Sequence, residues 1–172
     1  IWMYQVTVIS GRFDDLRRTF FLISDDPRVL GILIAFCFGG LLEALAGFGA
    51  PVAIAAAMLI AIGFGKLRGA ITALVANTVP VAFGAVGLPV LMAAKTGGLD
   101  VAMVAPVTAR VCAVLCLVVP FLMLAIMDGR KGVRECWPFG LFVGVVFGVT
   151  KVIVGGTPVY NLTEIFAAVV TV

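Results

Sequence analysis

The sequence contains no histidine, and little of it is charged: 12 Lys and Arg and 9 Asp and Glu among 172 residues. Without histidine the chain lacks the commonest proton shuttle and general base, so any proton chemistry falls to carboxylates. Soluble domains carry about 25% charged and about 45–50% apolar residues. Here the figures are 12% and 63%, with a mean hydropathy of +1.23. So little charge on so apolar a chain excludes a soluble globular domain and predicts an all-α polytopic membrane protein. A formal charge of +3 gives no reason to expect a nucleic-acid partner, because basic residues in membrane chains report orientation instead. An initiator methionine, a cleavable signal peptide and a polar tail are also missing, since the chain opens Ile1-Trp2-Met3 and ends in the apolar run from Phe166 to Val172. An internal piece of a longer chain is expected.

Four cysteines are present. Cys37, Cys112 and Cys116 sit in apolar runs and Cys136 at a boundary. Cys112 and Cys116 share a helical face, but no histidine or nearby acid completes a metal set. They read as small packing residues. No cofactor is expected, and no nucleophile–base pair points to an enzyme.

Residues 1–9 read as the end of a membrane helix, with Trp2 and Tyr4 suited to an interface. Residues 10–24 alternate apolar and charged faces, which predicts a helix lying on the membrane surface. Ser24-Asp25-Asp26-Pro27 is a helix start, with an aspartate to cap it and a proline fitting the first turn. The following apolar run, Val29 to Phe64, is 36 residues long. One span needs about 20 residues and two need about 40. A hairpin over 27–64, made of two shortened helices that enter and leave on one side, fits better. Residues 70–94 are predicted to form a broken helix, because Asn77, Pro80, Gly84, Gly87 and Pro89 do not suit one unbroken helix. Spans at 101–127 and 137–154 follow, the first carrying Pro106 and Pro120 as candidate kink positions. A basic loop, Asp128 to Arg134, joins them, and Gly155 to Pro158 is a turn.

Charge placement is an independent check. With a hairpin at 27–64, nine bases share one side: Arg12, Arg17, Arg18 and Arg28, Lys66 and Arg68, and Arg130, Lys131 and Arg134. Only Lys95 and Lys151 fall on the other, with Arg110 inside a span. A single crossing would split the bases six against five. The strong asymmetry expected of membrane proteins favours the hairpin. It does not separate a re-entrant hairpin from two tight full spans.

Two breaks in apolar sequence are the candidate site. Opened helices in hydrocarbon need protein or a water-filled cavity to satisfy their freed backbone groups, and such breaks mark sites in secondary transporters. At the first, Gly47 and Gly49 let the backbone approach a ligand, and Ala50 and Pro51 open the returning helix, whose free N–H groups can hold an anion. The alternative is a tight turn packed on a neighbouring helix. At the second, Asn77 and Thr78 offer donors and acceptors for a carboxylate and a hydroxyl, or else polar packing between helices. Glu43, just before the first break, is a candidate proton carrier or a structural acid bonded to the opened backbone. Arg110 could bind a carboxylate with two prongs, neutralise Glu43, or snorkel to the interface. Asp128 reads as a helix-end acid.

Phe36-Cys-Phe-Gly-Gly-Leu-Leu-Glu-Ala-Leu-Ala-Gly-Phe-Gly-Ala-Pro-Val-Ala-Ile54 resembles a signature of the bacterial L-lactate permease family, as does Ala76-Asn-Thr-Val-Pro-Val-Ala-Phe-Gly-Ala-Val-Gly-Leu-Pro89. Ala125-Ile-Met-Asp-Gly129 and Glu135-Cys-Trp-Pro138 are similar to that family too, so the resemblance runs from about Gly11 to Pro138. It implies part of a longer permease that takes up lactate, glycolate or related 2-hydroxy acids with protons across the bacterial cytoplasmic membrane. It also implies one half of an ion-transporter-superfamily inverted repeat, the rest of the permease supplying the other half of the site. Ala44-Leu45 and Ala50 depart from the family pattern, which often has Gly-Ala after the Glu and Thr before the Pro; this bears on substrate fit. A passive small-solute or anion channel, which also uses half-helices, is the alternative to a symporter.

Overall fold

The computed structural model describes Thr19 and residues 22–47 and 49–171. The expected helix end at 1–9, and the surface helix at 10–24 apart from Thr19 and 22–24, lie outside the described residues. Among the described residues there is no strand.

Helix α1 runs from Pro27 to Leu45 and winds as a π-helix between Leu33 and Phe38. Asp26 caps it by accepting from the Arg28 N–H at 2.9 Å, with Pro27 in the first turn. A left-handed residue, Gly49, starts α2 (Ala50–Ala61), with Pro51 again in the first turn. α2 folds back onto the π-helical part of α1. At its far end Phe64 lines a cleft with Arg28, Met127 and Asp128, so the chain enters α1 and leaves α2 at the same end of the bundle. The two arms are unequal. α1 is 19 residues, long and apolar enough to cross a membrane, whereas α2 has only 12.

α3 (Lys66–Asn77) begins earlier than the sequence implies, taking Lys66 and Arg68 into its first turn. It stops at Thr78, and a 3-10 turn at Val81–Phe83 leads into α4 (Gly84–Gly97). The direction changes by 56° between Lys66–Asn77 and Val81–Gly97. Within α4 the residues Ala85, Val86 and Gly87 are left-handed, so right-handed helix starts only at Leu88 and Pro89 falls in its first turn.

α5 (Val101–Gly155) is capped by Asp100, which accepts from the Ala102 N–H at 2.9 Å. Its backbone leaves helical geometry at Asp128 (φ −141°) and Gly129 (φ 63°, ψ −147°) alone, a conformation that needs glycine. The expected basic loop at 128–134 is thus only two residues long, and Arg130, Lys131 and Arg134 belong to the returning arm. Pro106, Pro120 and Pro138 stay within helical backbone. The arms pack antiparallel through small residues: a Cβ added at Gly144 would lie 2.6 Å from the Cys116 carbonyl oxygen, and one at Gly148 would lie 3.2 Å from that of Ala113. Such residues let membrane helices approach closely. All four cysteines are buried and unpaired with each other. A 3-10 turn, Tyr160–Leu162, leads to α6 (Thr163–Thr171), which packs on α5 and on the C-terminal turns of α1.

The described bases follow the fold. Arg28 bridges Asp26 (2.8 Å), Asp128 (3.1 Å) and Glu135 (2.7 Å) at the end where α1 starts and α5 turns back. Lys151 does not follow the sequence reading. Instead of facing the opposite surface it is fully buried in the returning arm of α5. It is tolerated there because Glu164 of α6, also fully buried, neutralises it.

Candidate functional site

The two breaks meet. Gly47 (φ +60°) approaches α4 so closely that an added Cβ would lie 2.8 Å from the Ala85 Cβ, so the tip between α1 and α2 docks on the left-handed turn of the second break. Left-handed Ala85 and Val86 are unusual, because neither is glycine and Val86 is β-branched. Backbone strain of this kind costs about 1–3 kcal/mol per residue and clusters at functional sites.

Between the breaks lies a cavity of about 360 Å³, towards the small end of ligand pockets, which span about 300–1,000 Å³. Glu43, Gly49, Asn77 and Gly84 line it with apolar side chains that include Ala85 and Leu88; no lysine or arginine is among the described residues that line it. Three helix ends border it: the C-terminal end of α3 at Asn77, the N-terminal end of α2 at Gly49, and the start of right-handed α4 at Leu88 and Pro89. The two N-terminal ends present partial positive charge from N–H groups that lack intrahelical partners.

Glu43 is buried, on the last turns of α1. Its carboxyl lies beside the Asn77 side chain in the cavity wall, while its Oε2 is buried with no hydrogen-bond partner among the described residues. Gly84 makes room for it, since an added Cβ would stand 2.9 Å from Oε1. Each break therefore gives one polar side chain to a shared contact inside the cavity.

The other candidate residues fall differently. Thr78 is exposed and donates its hydroxyl to the Val75 carbonyl at 2.7 Å, closing the end of α3 rather than lining the cavity. Ala50 is exposed and Pro51 buried at the start of α2, directly behind Gly49. Arg110 is exposed on the outer face of α5 with Met103, Val107 and Val114, and the fold does not bring it to the cavity. Sequence reasoning missed the Lys151–Glu164 pair. A signal existed: Lys151 continues the row Gly140, Gly144 and Gly148 and precedes Gly155, and all five are buried.

The whole chain, residues 1–172, matches the family model described as L-lactate permease. It is 44% identical over 172 residues to the glycolate permease GlcA of Escherichia coli (strain K12), an alignment covering all of this chain and 31% of that protein. It is 42% identical over 151 residues to the L-lactate permease of Salmonella typhimurium, covering 88% of this chain and 27% of the relative. With the L-lactate permease of Bacillus subtilis (strain 168) the identity is 38% over 171 residues, 99% of this chain and 30% of the relative. The chain thus spans about a third of the length of these relatives. No solved structure matches it.

Proposed function

Because this chain belongs to the L-lactate permease family, we propose that it forms part of a secondary transporter that moves L-lactate, glycolate and related 2-hydroxy monocarboxylates across the bacterial cytoplasmic membrane together with protons. The observation that carries this reading is the convergence of both helix breaks on one cavity holding Glu43 and Asn77. The substrate carboxylate sits at the N-terminal ends of α2 and right-handed α4, where Gly49 and Leu88 border the cavity. With no cationic side chain among the described residues of the lining, backbone N–H groups are the attractive element for an anion. Asn77 supplies the amide that meets the 2-hydroxyl or carboxylate, being one of the few lining side chains with hydrogen-bonding groups. Gly47 and Pro51 serve by shape, the first docking the tip on Ala85 and the second starting α2.

Glu43 is the proton carrier of this scheme. It is a buried carboxyl at the cavity wall with one oxygen unpartnered, and buried acids in membrane helices mark proton paths. The rest of the permease closes the cavity from the side that this segment leaves open.

The test is uptake of labelled L-lactate and glycolate into proteoliposomes holding the full-length permease, with and without an inward proton gradient. Concentrative uptake abolished by a protonophore is expected. Uptake that only equilibrates, whatever the gradient, would assign the half-helices to a channel.

A further inference from the structure

Lys151 and Glu164 lie outside the cavity, and nothing in the transport scheme uses them. Both are fully buried. The Lys151 Nζ makes an ion pair with Glu164 Oε1, donates to the Val79 carbonyl at 2.7 Å, and lies 5.7 Å and 5.6 Å from the ring centres of Phe83 and Phe147. Val79 is the middle residue of the second break. There the Phe83 N–H turns to the Pro80 carbonyl at 3.1 Å, and Lys151 gives the Val79 carbonyl its donor from across the bundle. α6, which carries Glu164, also packs on the turns of α1 that carry Glu43. The pair therefore ties the second break to the helix that packs beside the first.

We infer that Lys151, neutralised by Glu164, is a positioning residue for the substrate cavity: it pins the Val79 carbonyl and thereby sets where the unwound segment presents Asn77 and Gly84. This rests on the cavity being the transport site. A lysine suits the task because its ammonium has three donors on a flexible stem, so it can hold the carbonyl and the carboxylate at once. Two apolar side chains could fill the same volume at no cost in buried charge, but they could not hold a carbonyl freed by an opened helix.

The experiment compares the full-length permease with Lys151→Met and with Lys151→Met/Glu164→Gln in proteoliposomes, reading KM and maximal rate for L-lactate alongside protein abundance. Lys151→Met alone strands Glu164 in the interior and is expected to lower abundance. The double variant has neither charge and is expected to reach the membrane at wild-type abundance. Its maximal rate should stay within about twofold of wild type, while KM rises roughly tenfold, the scale of one lost hydrogen bond to a charged group. An unchanged KM in the double variant would overturn the inference and leave the pair a matched charge in the packing. Failure of the double variant to assemble would overturn it as well, by making the pair a requirement of the fold. Absence of lactate uptake by the wild-type protein would instead remove the reading of the cavity itself.

Discussion

The ammonium of Lys151 and the carbonyl of Val79 are 72 positions apart in sequence and 2.7 Å apart in space. This contact joins the returning arm of α5 to the opened link between α3 and α4. An opened helix in a membrane interior needs a donor for each freed carbonyl, and here the donor is a cation carried in with its own counter-ion. The other break is held by packing, with Gly47 against Ala85 and Glu43 beside Asn77 and Gly84.

Two glycines at the tip separate strain from fit. Gly47→Ala combines a left-handed φ of +60° with a Cβ 2.8 Å from that of Ala85, whereas Gly49→Ala has φ +80° but open space around the new Cβ. Gly49→Ala should cost about 1 kcal/mol of stability from backbone strain alone, and Gly47→Ala about 2–3 kcal/mol or more. Thermal unfolding of the purified permease should order them so, and equal midpoints would contradict the docking of the tip on Ala85.

Glu43→Gln keeps the size and hydrogen-bonding reach of the side chain and removes its exchangeable charge. Gradient-driven accumulation of lactate should be lost, while exchange of lactate across the membrane continues. Proton-driven accumulation at the wild-type level would remove Glu43 from the coupling.

Asn77→Ala should lower lactate uptake about tenfold or more at normal abundance, as the cavity loses an amide that no other described lining residue replaces. Arg110→Ala should change uptake by no more than about twofold, because Arg110 faces outward with Met103 and Val107. The reverse order of effects would move the substrate from the cavity to the outer face of α5.

At the other end of the bundle, Arg28 hydrogen-bonds Asp26 and holds its carboxyl below the ordinary aspartate value of 3.8. A lowered folded value means that ionised Asp26 adds stability above pH 3.8, and that this contribution fades as the pH falls further through the folded value. Asp26→Asn should therefore lower the melting temperature at neutral pH, with the gap to wild type narrowing below pH 3.8. A constant gap at all pH values would assign the effect to the helix cap alone.

The sequence pattern identifies the breaks and their polar residues because helix breakers in apolar runs need no tertiary information to be recognised. Gly47, Gly49, Asn77 and Glu43 all stand out that way. Which face a charged residue occupies is harder to read, since apolar neighbours surround Arg110 and Lys151 alike. Small residues carry that information. Ala105, Ala109, Cys112 and Cys116 mark the inward face of the first arm of α5 and exclude Arg110, while Gly140, Gly144 and Gly148 mark the inward face of the second and include Lys151. Glu164 has no such local signal. Its role depends on α6 folding back against α1 and α5, which no short-range pattern encodes.

The most direct measurement is substrate protection at the cavity wall. Leu88 lines the cavity and Met103 lies on the outer face of α5, both exposed, and the four cysteines of this segment are buried. In the full-length permease, thiol modification of Leu88→Cys should slow when L-lactate or glycolate is added, while that of Met103→Cys should not. Equal modification rates at Leu88→Cys with and without saturating substrate would contradict the placement of the substrate between the two broken helices.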